Sequence, residues 1–225
     1  MRRKTVLSFI YYTILLFILF LILNLIMKNE EKSPKKLKMY FRIALGVFLI
    51  RYLTLLLICL LKNVETVYLF KNFVYLNYLS IPLVVLALFF IYLRFDNLSF
   101  NIIYGIGSIL ICLYIIGMVF STGIVTLDIN FGYIMQLKYG EFITAIIVII
   151  LGLFLVFSVI FIDKPNINKK GICSLILILI VILVENILIL MKFSILPYTI
   201  ISEFIFLIIV ERAIGGFKKV KSENK

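Results

Sequence analysis

Residues 171–214 read GICSLILILIVILVENILILMKFSILPYTIISEFIFLIIVERAI. Two apolar runs, 171–191 and 194–214, flank a short KFS break, and each carries one acid well inside it, Glu185 and Glu203. A helix rising about 1.5 Å per residue needs about 20 apolar residues to cross about 30 Å of hydrocarbon, which is the length of each run. Unpaired backbone amides are too costly in lipid, so both runs are expected to be helical.

Five further runs of the same kind precede them, at roughly 5–27, 39–61, 73–93, 99–120 and 142–162. The whole chain of 225 residues is 64% hydrophobic and 15% charged, with a mean hydropathy of +1.20. Soluble domains carry about 45–50% apolar and about 25% charged residues, and the surplus cannot be hidden inside a globule of this size. Lipid must be the solvent. A soluble enzyme, a secreted disulfide scaffold and a disordered tail are excluded. The expected fold is an all-α membrane protein, a bundle of seven transmembrane helices over 1–216, followed by a basic tail at 217–225. The first run opens on Met1-Arg2-Arg3-Lys4 like a signal peptide, yet it is too long and lacks a small-x-small cleavage site, so it reads as a retained helix. Pro82 interrupts the third helix, whereas Pro197 falls at the start of the seventh, where proline is well tolerated.

Lysine and arginine set the orientation. Seven of them (Arg2, Arg3, Lys4, Lys62, Lys71, Lys138, Lys192) fall on one side of a seven-pass bundle and fourteen on the other, including Lys28, Lys38, Arg94, Lys164, Arg212 and the tail. The richer side is expected to be cytoplasmic, which puts the N-terminus outside and the C-terminus inside. The net charge of +12 then reflects this bias and attraction to anionic lipid rather than nucleic-acid binding.

Charges inside a membrane cost about 2.5–3.5 kcal/mol each at a helix centre and need a reason. Arg51, Glu185 and Glu203 stand out, because counting residues from the helix ends places all three just above the midplane. Asn186 adjoins Glu185, Ser202 adjoins Glu203, and Thr54 lies one turn from Arg51. One reading is a ligand or proton site in the outer half of the bundle, with Arg51 neutralising one carboxylate. The other is a structural ion pair that fixes helix packing. Arg42 is expected to snorkel to the inner interface, and Glu211 and Arg212 to be solvated there.

The segment 121–141 forms the one sizeable external loop, in which Val125, Leu127, Ile129, Phe131 and Tyr133 alternate with small or polar residues. Period-two alternation suits an extended lid over the bundle, or a loop lying on the bilayer. Gly132 and Gly140 suit turn positions, and Gly105 and Gly117 suit close helix contacts. Tyr75, Asn77 and Tyr78 read as an interfacial aromatic belt. Cys59, Cys112 and Cys173 each lie within an apolar run and read as buried small hydrophobes.

The chain contains no histidine, no phosphate-binding glycine loop and no nucleophile elbow. No catalysis, metal or cofactor is expected. Four stretches resemble the seven-helix N-terminal sensor region of bacterial histidine kinases and diguanylate cyclases: FVYLNYLSIPLVVLALFFIYLRF, GYIMQLKYGEFITAIIVIILGL, VENILILM and LPYTIISEFIFLIIVERAIGGF. The resemblance implies a sensor in the bacterial cytoplasmic membrane. In that family helix seven feeds an output domain, whereas only FKKVKSENK follows Gly216 here, so the expectation is a stand-alone sensor or a truncated relative. Its partners would be the bilayer, a small ligand and a separate cytoplasmic or membrane signalling protein. The alternatives are a small-solute transporter or transporter-accessory subunit, and a structural assembly partner.

Overall fold

The computed structural model describes residues 2–61, 63–93, 101–128, 130–165, 167–193 and 196–217, with side chains from residue 7 onward. Lys62, Arg94 and the rest of the linker to residue 100, Ile129, the tail from Lys218, and the side chains of Arg2, Arg3 and Lys4 lie outside the described residues.

The described elements are α1 (Arg2–Lys32), α2 (Lys35–Leu60), α3 (Val64–Leu69), α4 (Lys71–Val74), α5 (Asn77–Leu93), α6 (Asn101–Phe120), β1 (Gly123–Asp128), β2 (Gly132–Leu137), α7 (Gly140–Ile160), α8 (Lys169–Leu190) and α9 (Ile200–Gly215). Among them, six helical segments are long and apolar enough to cross a membrane, with α4 and α5 counting as one, Lys71–Leu93. The protein is a multi-pass membrane protein of helices plus one small sheet. The charged stretch after residue 27, expected as a linker, is largely helical: α1 runs to Lys32 and only Ser33 and Pro34 separate it from α2. Helices can continue into water once their lipid-crossing part is nucleated, because each added residue gains a hydrogen bond.

Sequence patterning decides which helix is central. α5, NYLSIPLVVLALFFIYL, is apolar on all sides, the pattern of a helix buried on all sides. The span containing it is 72% buried, against 22–44% for the other five. Around it, α6, α2, α1, α9, α8 and α7 follow one another. On α2 the inward stripe is Phe41, Ala44, Phe48, Arg51, Leu55 and Ile58, so helical periodicity itself carries Arg51 into the core. The ring is loosest at one seam: α6 and α7 each pack on α5 more closely than on each other.

The hairpin and the starts of α1, α7 and α9 share one end of the bundle. There Tyr11 of α1 packs edge-on against Phe131, with centroids 5.1 Å apart. At the other end Lys28 of α1 pairs with Glu211 of α9, and the Asn168 amide before α8 donates to the Tyr92 carbonyl at 3.1 Å.

Several sequence expectations need correction. Gly105 has open space where a side chain would sit, and Gly117 meets only Ile143 at 3.9 Å. The close approach among the helix glycines is at Gly171, where a Cβ would stand 2.2 Å from the Tyr92 ring, while Gly107 makes an ordinary contact with Leu83. Cys112 and Cys173 are exposed on lipid-facing sides of their helices and Cys59 is half-buried, because an apolar run in a membrane does not distinguish the core side from the lipid side. Arg42, 60% exposed, pairs with Glu30 (Nε to Oε1, 2.6 Å), Glu211 is partly exposed and paired with Lys28, and Arg212 is exposed.

The seventh run differs most. Helix α9 begins at Ile200 and has 16 residues, and Leu196–Thr199 before it is bent rather than helical. Proline disfavours helical geometry in the residue before it, which keeps Leu196 out of the helix. Glu203 therefore sits in the first turn of α9, not about nine residues in.

Candidate functional site

The first turn of α9 needs partners for its free amides. Thr199, at its N-cap position, makes no side-chain bond to them. Instead Glu185 reaches across from α8, and its Oε2 accepts from the Ser202 amide at 2.8 Å. A carboxylate there is favoured by both the hydrogen bond and the positive end of the helix dipole.

Glu203 lies one residue on, fully buried, and is held by three side chains. Its Oε2 pairs with the Arg51 guanidinium and accepts from the Tyr52 hydroxyl at 2.7 Å. Its Oε1 accepts from the Thr199 hydroxyl at 2.5 Å. Arg51, 1% exposed, also donates through Nε to the Val74 carbonyl at 3.0 Å, and its guanidinium carbon lies 5.2 Å from the Tyr52 ring centroid. The Val74 carbonyl is available because the chain breaks into a turn at Tyr75 and Leu76 between α4 and α5. A buried charge is tolerated only when paired and hydrogen-bonded, and this pair meets both conditions.

The structure thus joins Arg51 to Glu203 directly and brings Glu185 to the neighbouring backbone. Of their expected companions, Thr54 donates back to the Ile50 carbonyl at 2.8 Å and Asn186 to the Ile182 carbonyl at 2.8 Å, each within its own helix. Ser202 contributes its amide, while its hydroxyl and the Asn186 Oδ1 have no partner.

Above the pair lies a cavity of about 520 Å³ lined by Arg51, Tyr75, Asn77, Tyr78, Tyr198 and Thr199, among others. Its roof is the hairpin, paired from Gly123↔Leu137 to Asp128↔Gly132. Gly132 carries the left-handed φ of 77° that closes the hairpin, and the Asp128 carboxylate accepts from the Asn130 and Phe131 amides. The segment is thus extended chain, and its β2 strand borders the cavity. The outer edge of β2 would expose unpaired backbone, and two tyrosines cover it: Tyr75 donates to the Met135 carbonyl at 2.7 Å, and the Met135 amide donates to the Tyr198 hydroxyl at 3.0 Å. At the rim Lys192 faces Glu141 at 3.4 Å, both side chains mostly exposed.

Tyr75, Asn77 and Tyr78 do not form an interfacial belt. They turn inward, with Tyr78 bonded to Thr144 at 2.7 Å and Asn77 donating to the Thr199 hydroxyl at 3.1 Å. Tyr52, Tyr198 and Thr199 are the site residues that sequence reasoning missed, and Asn77 was singled out but read as part of a belt. Tyr52 follows Arg51 directly, and Thr199 stands four residues before Glu203, one more than the capping-box spacing, so no helix-entry signal marks it. Among the described residues no group of three His, Cys, Asp or Glu side chains is placed to hold a metal ion. No known protein-family model matches this chain, and no curated protein matches it.

Proposed function

We propose that the chain is a non-catalytic receptor-like module of a bacterial cytoplasmic membrane that takes a small polar ligand into the cavity beneath the hairpin and reports its occupancy through α9 to a separate signalling partner. In this reading α9 is a seventh crossing, the N-terminus is outside and the C-terminus is cytoplasmic. The fourteen-to-seven excess of Lys and Arg supports that orientation. So does the family resemblance drawn from the four stretches quoted above.

The observation that carries the proposal is the position of α9. Arg51 and Thr199 line the cavity and are also the groups that grip Glu203 at the start of α9. The other end of the same helix is tied by Glu211 to Lys28 of α1. A ligand that competes for the Arg51 or Thr199 donors changes the hold on one end of α9 and shifts the other. Such a ligand acts by its different affinity for the two positions of the helix.

The test uses reconstituted protein with spin labels at Lys32→Cys and Gly216→Cys. Glu203→Gln, and the milder Tyr52→Phe, are expected to move the mean label distance by about 2 Å, the scale of helix shifts in switching proteins. An unchanged distance in both variants would leave only a structural ion pair. Loss of small-solute uptake in cells carrying Glu203→Gln would favour the transporter reading instead.

A further inference from the structure

We infer that the ligand of the polar cavity beside β2 is an organic monocarboxylate with an apolar body, its carboxylate held by Arg51 and the first turn of α7. The inference rests on the reading of that cavity as a ligand site and adds the class of molecule that fills it.

The donors around the cavity call for an anion. Its hydroxyls are spent within the protein: Tyr75 donates to the Met135 carbonyl, Thr144 to the Gly140 carbonyl and Thr199 to Glu203. Because Thr144 gives its proton to Gly140, Tyr78 is the donor in the bond between Tyr78 and Thr144, and it is spent as well. Arg51 is different. It uses Nε on the Val74 carbonyl and Nη1 on Glu203, while Nη2 makes no hydrogen bond. Nor is Nη2 sealed off, as the Asn77 Oδ1 is, so the little surface that Arg51 keeps opens onto the cavity it lines.

The start of α7 is the second group. Its first-turn amides have no acceptor within the helix, and the N-cap residue Tyr139 offers them no side chain. Gly140 and Glu141 of that turn line the cavity. A buried guanidinium donor and the positive end of a 21-residue helix thus share one space, and both are best met by oxygens that carry negative charge. At the rim Lys192 is held only by Glu141 at 3.4 Å, both side chains largely exposed, which is a weak hold on a cation beside the entrance.

The remaining wall is apolar, made by Leu137, Ile189, Leu190, Pro197 and the rings of Tyr75 and Tyr198, and about 520 Å³ far exceeds the volume of an inorganic anion. A hydrocarbon body joined to one carboxylate suits both parts of the cavity, and a single buried cation suits a single carboxylate. Such a ligand also explains how occupancy reaches α9. A carboxylate on Nη2 divides the guanidinium's charge with Glu203 and loosens that pair, which a neutral ligand does far less.

The probe is para-fluorobenzoate, added to the full-length protein in dodecyl maltoside near neutral pH and followed by fluorine NMR. Its line is expected to broaden saturably, and to sharpen again on adding benzoate or hexanoate but not benzamide or inorganic phosphate. Glu203→Gln leaves Arg51 without a competing carboxylate and should tighten binding about tenfold, a gain that misfolding does not produce. Lys192→Gln, at an exposed position, should weaken binding about threefold. Broadening that does not saturate, displacement by benzamide as readily as by benzoate, or an affinity that neither variant changes would overturn the inference. Equal displacement by phosphate would do so too, by making the site one for any anion. If Glu203→Gln does not fold, Lys192→Gln alone decides. Should para-fluorobenzoate fail to bind while Glu203→Gln still shifts α9, the carboxylate is wrong and the receptor reading stands. Saturable binding with α9 immobile in both Glu203→Gln and Tyr52→Phe keeps the site and overturns the receptor reading.

Discussion

Arg51 and Glu203 are a buried pair with every strong interaction inside the protein, and such pairs respond asymmetrically to mutation. Removing one partner strands the other charge, whereas replacing both by apolar groups of similar size is often neutral or better. Arg51→Met is therefore expected to destabilise the protein by about 3–5 kcal/mol, and Arg51→Met with Glu203→Met to recover most of that loss. Thermal unfolding in detergent measures both. Recovery of stability without recovery of the proposed α9 shift would separate the pair's proposed part in signalling from its part in packing; failure of the double variant to recover would mean that Tyr52 and Thr199 need the carboxylate. These charges were legible in the sequence because each carries a large cost in lipid that must be met somewhere. Tyr52 and Thr199 were not, since a neutral polar side chain costs far less and its partners come from other helices. Glu185 was legible as an intramembrane acid, but its actual service, capping the start of α9, depends on a helix boundary that lay six residues from where the apolar run begins.

Among the elements, the hairpin depends on a few bonds to the bundle. Its β2 edge is fixed by Tyr75 and Tyr198 through Met135. Tyr198→Phe removes the acceptor of the Met135 amide and should speed hydrogen exchange at that amide about fivefold, with little change at the β1–β2 ladder bonds. Equal acceleration throughout the hairpin would show that it opens as one unit instead. The helices were legible because lipid imposes both their length and their hydrogen bonding, and six of the seven expected runs coincide with long apolar helical segments. The alternation at 123–137 was legible as extended chain because Thr126, Asp128 and Gly132 interrupt the apolar residues with a period of two. Helix α3 was hidden by its mixed composition, VETVYL, whose start is set by the Asn63 side chain accepting from the Glu65 amide at 3.0 Å. The late start of α9 was hidden because Pro197 is compatible with a helix start as well as with the bent approach that delivers Tyr198 to the hairpin.

At the scale of the whole molecule the orientation can be tested directly. In a variant lacking the native cysteines, a membrane-impermeant maleimide added to intact cells should label Lys192→Cys and leave Lys164→Cys unlabelled until the cells are broken. The opposite pattern would invert the bundle and put the hairpin-capped cavity in the cytoplasm. The loose seam between α6 and α7 matters at this scale too, because there the described bundle presents two apolar recesses along its outer side.

Helix α9 has a last consequence. Sixteen helical residues extend about 24 Å, while a typical hydrocarbon layer is about 30 Å thick. As the seventh crossing proposed above, so short a helix is relieved where the surrounding bilayer thins, and the strain grows as lipid tails lengthen. The fit between Glu203 and Arg51 at one end and Glu211 and Lys28 at the other then depends on membrane thickness, so the protein's resting position would be set partly by the lipids around it.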